Sequence, residues 1–421
     1  MTRIAHAQVA VSNWGVPARS FARPWIIGSV AEFPVFEYSM REVRHSGEII
    51  AGAPPLDPAT LEAFKIANNW RESHAYPMRS VRHQIIWYMQ ILGVHGVTGA
   101  RLKRMQAIRR KLNRLGLHLN QLQDLGGCRA IVPQIEDVKT LVEALRERSR
   151  HELRGTGNDY IASPKPDGYR SHHLVFIYNG LGAASAFTGR RIEIQVRTQL
   201  QHSWATAVEA IGLIRGEYLK NDQGSEEWLR LFKLMSAEFA EAEGAPLPPD
   251  VPNHKERLTE IRALDDRLEA TATLENLSYV AHWADTSIEP VRPTYYLIIY
   301  DNATNKVGVE PYFAPKQAIM RYEIEEARAN KYGGETANIV LVEADKIDIV
   351  RAAYPNYFGD VQMFKRQLKN ITRGKGVRDF IVKPQETVKQ PPRENVDFAG
   401  LRGWIRSGAY NVGPYTGPRR G

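Results

Sequence analysis

Residues 191–197, RIEIQVR, alternate polar and apolar without a break. On an extended chain Arg191, Glu193, Gln195 and Arg197 share one side, and Ile192, Ile194 and Val196 the other. A helix would scatter both sets round its axis, so this period demands a strand with one face on an apolar core. The opposite face carries two guanidinium groups, a carboxylate and an amide. Such a face is either an edge washed by solvent or the floor of a polar site.

The surroundings place that strand in an α/β domain. Other β-type runs stand at 128–132 (CRAIV) and 173–178 (HLVFIY). Between them Val138, Leu141, Val142 and Leu145 mark one stripe of a helix over 135–148. Leu200, Trp204, Val208 and Ile211 continue as another helix. Helices alternating with short strands over 97–215 predict a mixed sheet between helices.

A chain of 421 residues suits two or three domains. Residues 1–55 form an N-terminal arm with one helix expected near 37–52. Residues 57–94 look helical, and the main α/β domain is placed at 56–240. The proline-rich stretch 241–253 reads as a boundary, so 241–290 is expected to be a linker followed by a charged helix from about 254 to 284. Strands at 294–300 and 338–343 around a helix at about 315–331 predict a small α+β domain over 291–370. Residues 371–421 carry 10 basic and 4 acidic residues and many Gly and Pro, and read as a mostly disordered tail.

Composition excludes several classes. Lys and Arg outnumber Asp and Glu by 56 to 47, giving a formal charge of +9 that suits a polyanionic partner. The single cysteine, Cys128, excludes a disulfide framework and a cysteine-based zinc site. No apolar run is long enough to span a bilayer, and the N-terminus lacks a signal pattern, so a cytoplasmic protein with no membrane partner is expected.

Three segments carry the candidate chemistry. Residues 101–114, RLKRMQAIRRKLNR, hold seven cations and no acid. Met105, Ile108 and Leu112 give them one buried face. Lys111 and Arg114 are helical neighbours on another, and Arg101 and Lys103 share a side if that stretch is extended. Cations so crowded call for an anion, and a nucleotide triphosphate suits them; a solvated basic face or an RNA contact suits them as well. Asp124 stands just before the strand at 128–132. With Glu193 on a neighbouring strand it offers two carboxylates for Mg²⁺, or one to accept a proton from an attacking hydroxyl. Finally, the turn-forming PKPDG of 164–168 delivers Lys165, Tyr169, Arg170 and His173 in quick succession. An aromatic ring flanked by cations suits a stacked base and its phosphates, and equally an ordinary surface loop with a packing tyrosine. His172 and His173 would point to opposite faces of a strand and do not make a metal pair.

The order of these pieces closely resembles the RelA/SpoT synthetase domain: the basic helix, DLGGCR (124–129), PKPDGYRSHH (164–173), then EIQVRTQLQHSWATAVE (193–209). The resemblance covers about residues 60–240. It implies a nucleotidyltransferase-like mixed sheet flanked by helices, and transfer of pyrophosphate from ATP to a ribose 3′-hydroxyl with Mg²⁺. Carried over by position, Arg101, Lys103, Lys111 and Arg114 resemble the ATP-binding cations. Asp124 and Glu193 resemble the two catalytic, metal-binding carboxylates. Tyr169 resembles the ring that stacks on the acceptor base, with Lys165, Arg170 and His173 around it. Gln195, Arg197 and His202 are supporting residues. Long members of the family carry a hydrolase with a His-Asp metal motif. None of the twelve histidines here precedes an aspartate, so hydrolysis of the product is not expected.

Tyr354 and Tyr357, in YPNYFGD (354–360), resemble the Tyr-x-x-Tyr motif of CapRel-type fused toxin–antitoxin proteins. That likeness implies a C-terminal domain that blocks the ATP site until a phage protein binds it, and a tRNA 3′-CCA acceptor in anti-phage defence. GDP or GTP as acceptor, or a non-catalytic RNA-binding or sensor module, are the alternatives.

Overall fold

The alternating segment at 191–197 forms a central strand of a mixed sheet. The structure is a computed structural model that describes residues 30–52, 57–215, 225–280, 293, 295–301, 306–331, 337–343 and 361–381. All of these fall within one compact unit, Met1–Val382.

The strands are β1 (Val97–Leu102), β2 (Gly126–Val132), β3 (Glu152–Leu153), β4 (Asn158–Asp159), β5 (His172–Ile177), β6 (Arg191–Thr198), β7 (Tyr295–Asp301), β8 (Lys306–Tyr312) and β9 (Ala337–Glu343). They lie in the order β3-β5-β6-β2-β1-β9-β7-β8, with β4 also on β5. β2 and β6 run parallel and the other pairs antiparallel. The helices are α1 (Met40–Ala51), α2 (Pro58–Glu72), α3 (Ala75–Ile91), α4 (Met105–Leu115), α5 (Ile135–Arg148), α6 (Gln199–Arg215), α7 (Glu226–Ala242), α8 (His254–Leu268), α9 (Ala270–Val280), α10 (Pro315–Lys331) and α11 (Gln362–Thr372). The α/β fold class expected from the sequence is what the chain adopts.

Apolar side chains divide into three cores. The largest lies on one sheet face, where Cys128, Ala130, Leu174, Phe176, Ile192 and Ile194 meet Val81 and Ile85 of α3 and Leu141 of α5. A helical core joins α6, α7, α8, α9 and α11, with Trp204, Trp228, Phe232 and Phe364 inside it. The third joins Met105, Ile108 and Leu112 of α4 to Val43 and Ile50 of α1 and to Ala67 and Trp70 of α2. The arm helix α1 is therefore the surface on which the basic helix rests. Arg109 fastens the two, donating to the carbonyls of Ile50 (2.9 Å) and Gly52 (3.0 Å) at the end of α1.

Five expectations change. The basic segment is helical only from Met105, because Arg101 and Leu102 end β1, which the short glycine-containing run VTGARL hides. The small α+β domain expected at 291–370 is not a sheet of its own: β9 pairs with β1 at Ala100↔Glu343 and Arg101↔Val342. The outer edge of β1 offers unpaired backbone groups, and β9 satisfies them. The helix expected at 254–284 breaks at Glu269, whose φ of 46° is left-handed. The tail does not start at 371, since Ile371 is buried and Val377 and Phe380 pack on the helical core. Nor does the proline-rich stretch after α7 separate two bodies: Arg257 of α8 donates to Glu238 of α7 at 2.7 Å. Arg230 and Glu260 add a two-pronged pair at 2.6 and 2.8 Å.

Glu72 on α2 is buried beside Arg71, with the carboxyl of Glu323 on α10 close enough to act on it. Burial first, and then the second carboxyl, push the Glu72 pKa well above the carboxylate range. A carboxyl whose folded pKa is raised stabilises the fold fully at pH values below its unfolded pKa. That contribution is lost as pH climbs towards the raised value. Glu72→Gln should therefore flatten the fall of the thermal midpoint between about pH 5 and about pH 9. Parallel pH profiles for variant and wild type would refute the raised Glu72 pKa.

Candidate active site

Sheet register defines the site. On the face opposite the largest core, Arg101, Gly127, Glu193 and Val175 lie side by side across β1, β2, β6 and β5. The next row is Gly99, Arg129, Gln195 and His173. Gly127 has no side chain to stand between Arg101 and Glu193.

The basic cluster closes one side. The Nζ atoms of Lys103 and Lys111 lie 2.8 and 2.9 Å from the same oxygen of Asp124, Oδ2. Lys103 sits in the turn after β1, where its N–H donates to the Leu125 carbonyl (2.8 Å). Lys111 comes from the second turn of α4, whose apolar stripe is held in the third core. Gly116, left-handed at φ 60°, ends that helix before the loop that returns to Asp124. Burial alone would raise the Asp124 pKa, but the two ammonium groups outweigh it and hold the group down at about 2. Burial, together with Lys111 and Arg101, lowers the pKa of Lys103 against the pull of Asp124. Arg114 is brought less close: it stays exposed, nearly one turn beyond Lys111.

The other side is a chain of hydrogen bonds. The Tyr169 hydroxyl lies 2.8 Å from His173 Nε2, and His173 Nδ1 lies 3.2 Å from Glu193 Oε1. Gln195 Nε2 donates to Glu193 Oε2 at 2.8 Å. A single tautomer satisfies the chain, with Nδ1–H donating to Glu193 and Nε2 accepting from Tyr169. Burial would raise the Glu193 pKa, yet His173 and Gln195 bring it below the ordinary value despite the nearby charge of Asp124. Glu193 is thus ionised and a weak base. It is better suited to accept a hydrogen bond from a hydroxyl, or to hold a cation, than to strip a proton unaided.

The loop that presents Tyr169 is built by its turn residues. Gly168 N–H donates to the Lys165 carbonyl (2.9 Å), and Asp167 Oδ1 accepts from the Tyr169 N–H (2.8 Å). Gly168 has φ 93°, and a Cβ there would stand 3.0 Å from the Ser236 Cβ of α7, so the close approach requires glycine. Tyr169 sits among Tyr160, His173 and Trp204, with ring centroids 5.7 to 6.3 Å away. The Lys165 ammonium lies 5.2 Å from the Tyr169 ring centre and 4.5 Å from that of Tyr160.

Arg170 does not join its neighbours. Its guanidinium donates to Glu243 Oε2 (2.6 Å), beyond the end of α7, and to Ser236 Oγ (3.3 Å). Both charged side chains are almost fully buried, at 1% and 3% exposure. Thr198 and Gln201 also donate to Glu243. A contact with acceptor phosphates, expected for Arg170, is therefore corrected to a structural pair. Tyr169 bonds to His173 on the site side while Arg170 is taken up by Glu243 and Ser236. Arg197 lies buried on the site face, and His202 is buried in the first turn of α6. Tyr354 and Tyr357 lie outside the described residues.

Sequence reasoning passed over Arg129, Tyr160 and Glu243. Arg129 was hidden in the apolar run CRAIV, although its place in the alternation sets it beside Gln195. Tyr160 has a local signal, standing at the start of the same loop. Glu243 has none, because it sits in what looks like a linker.

Two carboxylates also raise the question of a metal. Asp124 Oδ1 is buried and has no hydrogen-bond partner among the described residues. An ionised, orphaned oxygen near enough to a second ionised carboxylate for its charge to be felt there fits a hard divalent cation such as Mg²⁺.

Breaking the buried pair should be costly. Arg170→Met should destabilise the fold by about 3–5 kcal/mol in chemical denaturation, because Glu243 would be left buried and unpaired. Arg170→Met with Glu243→Gln should recover much of that loss. An Arg170→Met protein of wild-type stability but weaker acceptor use would return Arg170 to the site.

Residues 100–212 match the region found in RelA/SpoT proteins. The chain is 31% identical to the GTP pyrophosphokinase of Haemophilus influenzae over 177 residues, which cover 40% of this chain and 21% of that one. It is 35% identical to GTP pyrophosphokinase YjbM of Bacillus subtilis over 113 residues, 26% of this chain and 52% of the relative. The crystal structure of small alarmone synthetase 1 from Bacillus subtilis aligns with a TM-score of 0.36 at 22% identity, covering 44% of this chain and 91% of that one. The matched segments thus span about a fifth of the long relative and about half of the short one. Asp124, Tyr169, Glu193 and the cations of α4 all fall inside the matched residues 100–212.

Proposed function

We propose that this chain transfers pyrophosphate from ATP to the 3′-hydroxyl of a ribose. The observation that carries the reading is the convergence of Lys103 and Lys111 on ionised Asp124, on the sheet face that also presents Glu193. Phosphoryl-type transfer asks little covalent chemistry of a protein; it asks for in-line positioning and for charge to be spread. Lys103, Lys111, Arg101 and Arg114 grip the triphosphate. Glu193, held by His173 and Gln195, accepts the hydrogen bond of the attacking hydroxyl and aims it. Mg²⁺, held by Asp124 and Glu193, would neutralise charge developing on the phosphate oxygens.

Tyr169 supports the acceptor base, with Lys165 moving aside or bridging to a phosphate. The acceptor we favour is GDP or GTP, supported by the name GTP pyrophosphokinase carried by both relatives. The second reading is transfer to the 3′-CCA end of tRNA by a self-inhibited anti-phage toxin that Tyr354 and Tyr357 block and a phage protein releases. The formal charge of +9 and the basic C-terminal segment support it. Among the described residues no helix is long and apolar enough to cross a membrane. Either reaction belongs in the cytoplasm, where ATP and both acceptors are found.

Incubation with ATP labelled in its β- or γ-phosphate, offering GDP, GTP and bulk tRNA together, tests the reading directly. Label should move to one acceptor, and Asp124→Asn or Glu193→Gln should slow transfer by about 100-fold or more while thermal midpoints stay close to wild type. Turnover retained in both variants would remove the carboxylates from the chemistry. Tyr169→Ala should raise the acceptor KM by about tenfold and leave the ATP KM unchanged. Steep loss of acceptor binding with added salt identifies tRNA; a shallow dependence identifies the mononucleotide.

A further inference from the structure

The basic helix starts without a cap of its own. Its N-cap residue, Arg104, makes no side-chain cap hydrogen bond. Free N–H groups at a helix start need acceptors, ordinarily supplied by a Ser, Thr, Asp or Asn in that position. Here the acceptor arrives from far along the chain. Glu326 of α10 takes the Met105 N–H on Oε1 at 2.9 Å, from a residue 221 positions away. A carboxylate in that place also meets the positive end of the helix dipole. Its other oxygen, Oε2, lies 3.5 Å from Nη1 of Arg71 on α2. Arg71 is fully buried and stacks its guanidinium 4.6 Å from the centre of the Tyr322 ring, one turn of α10 before Glu326. Glu326 therefore joins three helices at the point where β1 turns into α4.

That point matters for the chemistry. Met105 follows Lys103 by two residues, and the Lys103 N–H is tied to the Leu125 carbonyl beside Asp124. The turn is stitched to the Asp124 loop on one side and to α10 on the other. Sliding or fraying the first turn of α4 moves Lys103 and swings Lys111, two turns along. We propose that Glu326 is a positioning residue for the triphosphate subsite: by capping α4 it keeps Lys103 and Lys111 in register with Asp124. The proposal rests on the reading that these lysines grip ATP. It makes the C-terminal strands and α10 a working part of the site, so cutting the chain before β7 removes a support of the nucleotide site along with any block.

The test is titration of the full chain with a non-hydrolysable ATP analogue, alongside thermal unfolding. Glu326→Ala should weaken analogue binding by about tenfold, the scale of a lost helix cap. Acceptor-nucleotide binding should not change. Glu326→Gln, which keeps an acceptor oxygen, should recover most of the affinity. The decisive variant adds Arg104→Ser to Glu326→Ala, supplying a cap from within the helix. It should bind the analogue nearly as wild type does, although the contact with Arg71 stays lost. A folded Glu326→Ala protein with wild-type affinity overturns the proposal, and so does a loss that Arg104→Ser leaves unrepaired. If Glu326→Ala alone does not fold, the double variant must fold and bind; its failure to fold overturns the capping role. A wild-type chain that binds no analogue would instead overturn the nucleotide reading itself, and this inference with it.

Discussion

Two ammonium groups share one carboxylate oxygen, and the rest of the site is arranged to permit it. Lys103 and Lys111 would repel each other across a partly buried space if Asp124 were absent. Asp124 in turn would resist ionising in that space if the lysines were absent. Each side makes the other tolerable, and the second carboxylate oxygen is left over. On the proposed reading a triphosphate would bring a stronger counterion for the lysines, and Asp124 would then be free to turn both oxygens to a cation. The carboxylate thus keeps the lysines paired and oriented while the subsite is empty, which limits the reorganisation that binding requires.

This arrangement needs a rigid frame on three sides, and the frame is drawn from distant parts of the sequence. The floor is the polar face of β6, β2 and β1. The wall that carries Lys111 is held by α1 and α2, both of which precede the matched region. Its starting turn is held by α10, from beyond it. The segments that flank residues 100–212 are therefore structural partners of the site rather than neighbours attached by linkers.

What could be read in the sequence was whatever is encoded locally. Period two at 191–197 placed Glu193 and Gln195 together and predicted the buried face opposite. The stripe Met105, Ile108, Leu112 gave the orientation of α4, and PKPDG gave the turn that lifts Tyr169. What could not be read depends on pairing between remote segments. β1 pairs with β9 through backbone groups, which carry no side-chain signal. Glu326 is one of several acids on a charged helix, with nothing to mark it as a cap for Met105. Arg170 was misplaced for a related reason. Its neighbours in sequence serve the site, but the partner that claims it, Glu243, lies 73 residues later in a stretch that looks like a linker.

The same buried pair shows how the two halves of the site are mounted. Arg170 and Glu243 tie the Tyr169 loop to the end of α7, and Gly168 lets that loop touch the helix. Behind Tyr169 the rings continue inward: Trp204 at 6.3 Å, then Phe232 at a further 6.3 Å, then Phe364 of α11 at 5.5 Å. Tyr169 is thus packed on the helical core, whereas Lys111 is carried by a helix packed on α1 and α2. The groups proposed to hold the two substrates are carried by different cores and meet only across the sheet. Glu193 stands on that shared sheet and is hydrogen-bonded through His173 to the Tyr169 side, while the charge of Asp124 reaches it from the other. On that proposal, a shift of either core relative to the sheet would change the alignment of hydroxyl and phosphate. In-line transfer is sensitive to such small displacements, so control of the proposed transfer would be most economically exerted on the packing of the flanking helices.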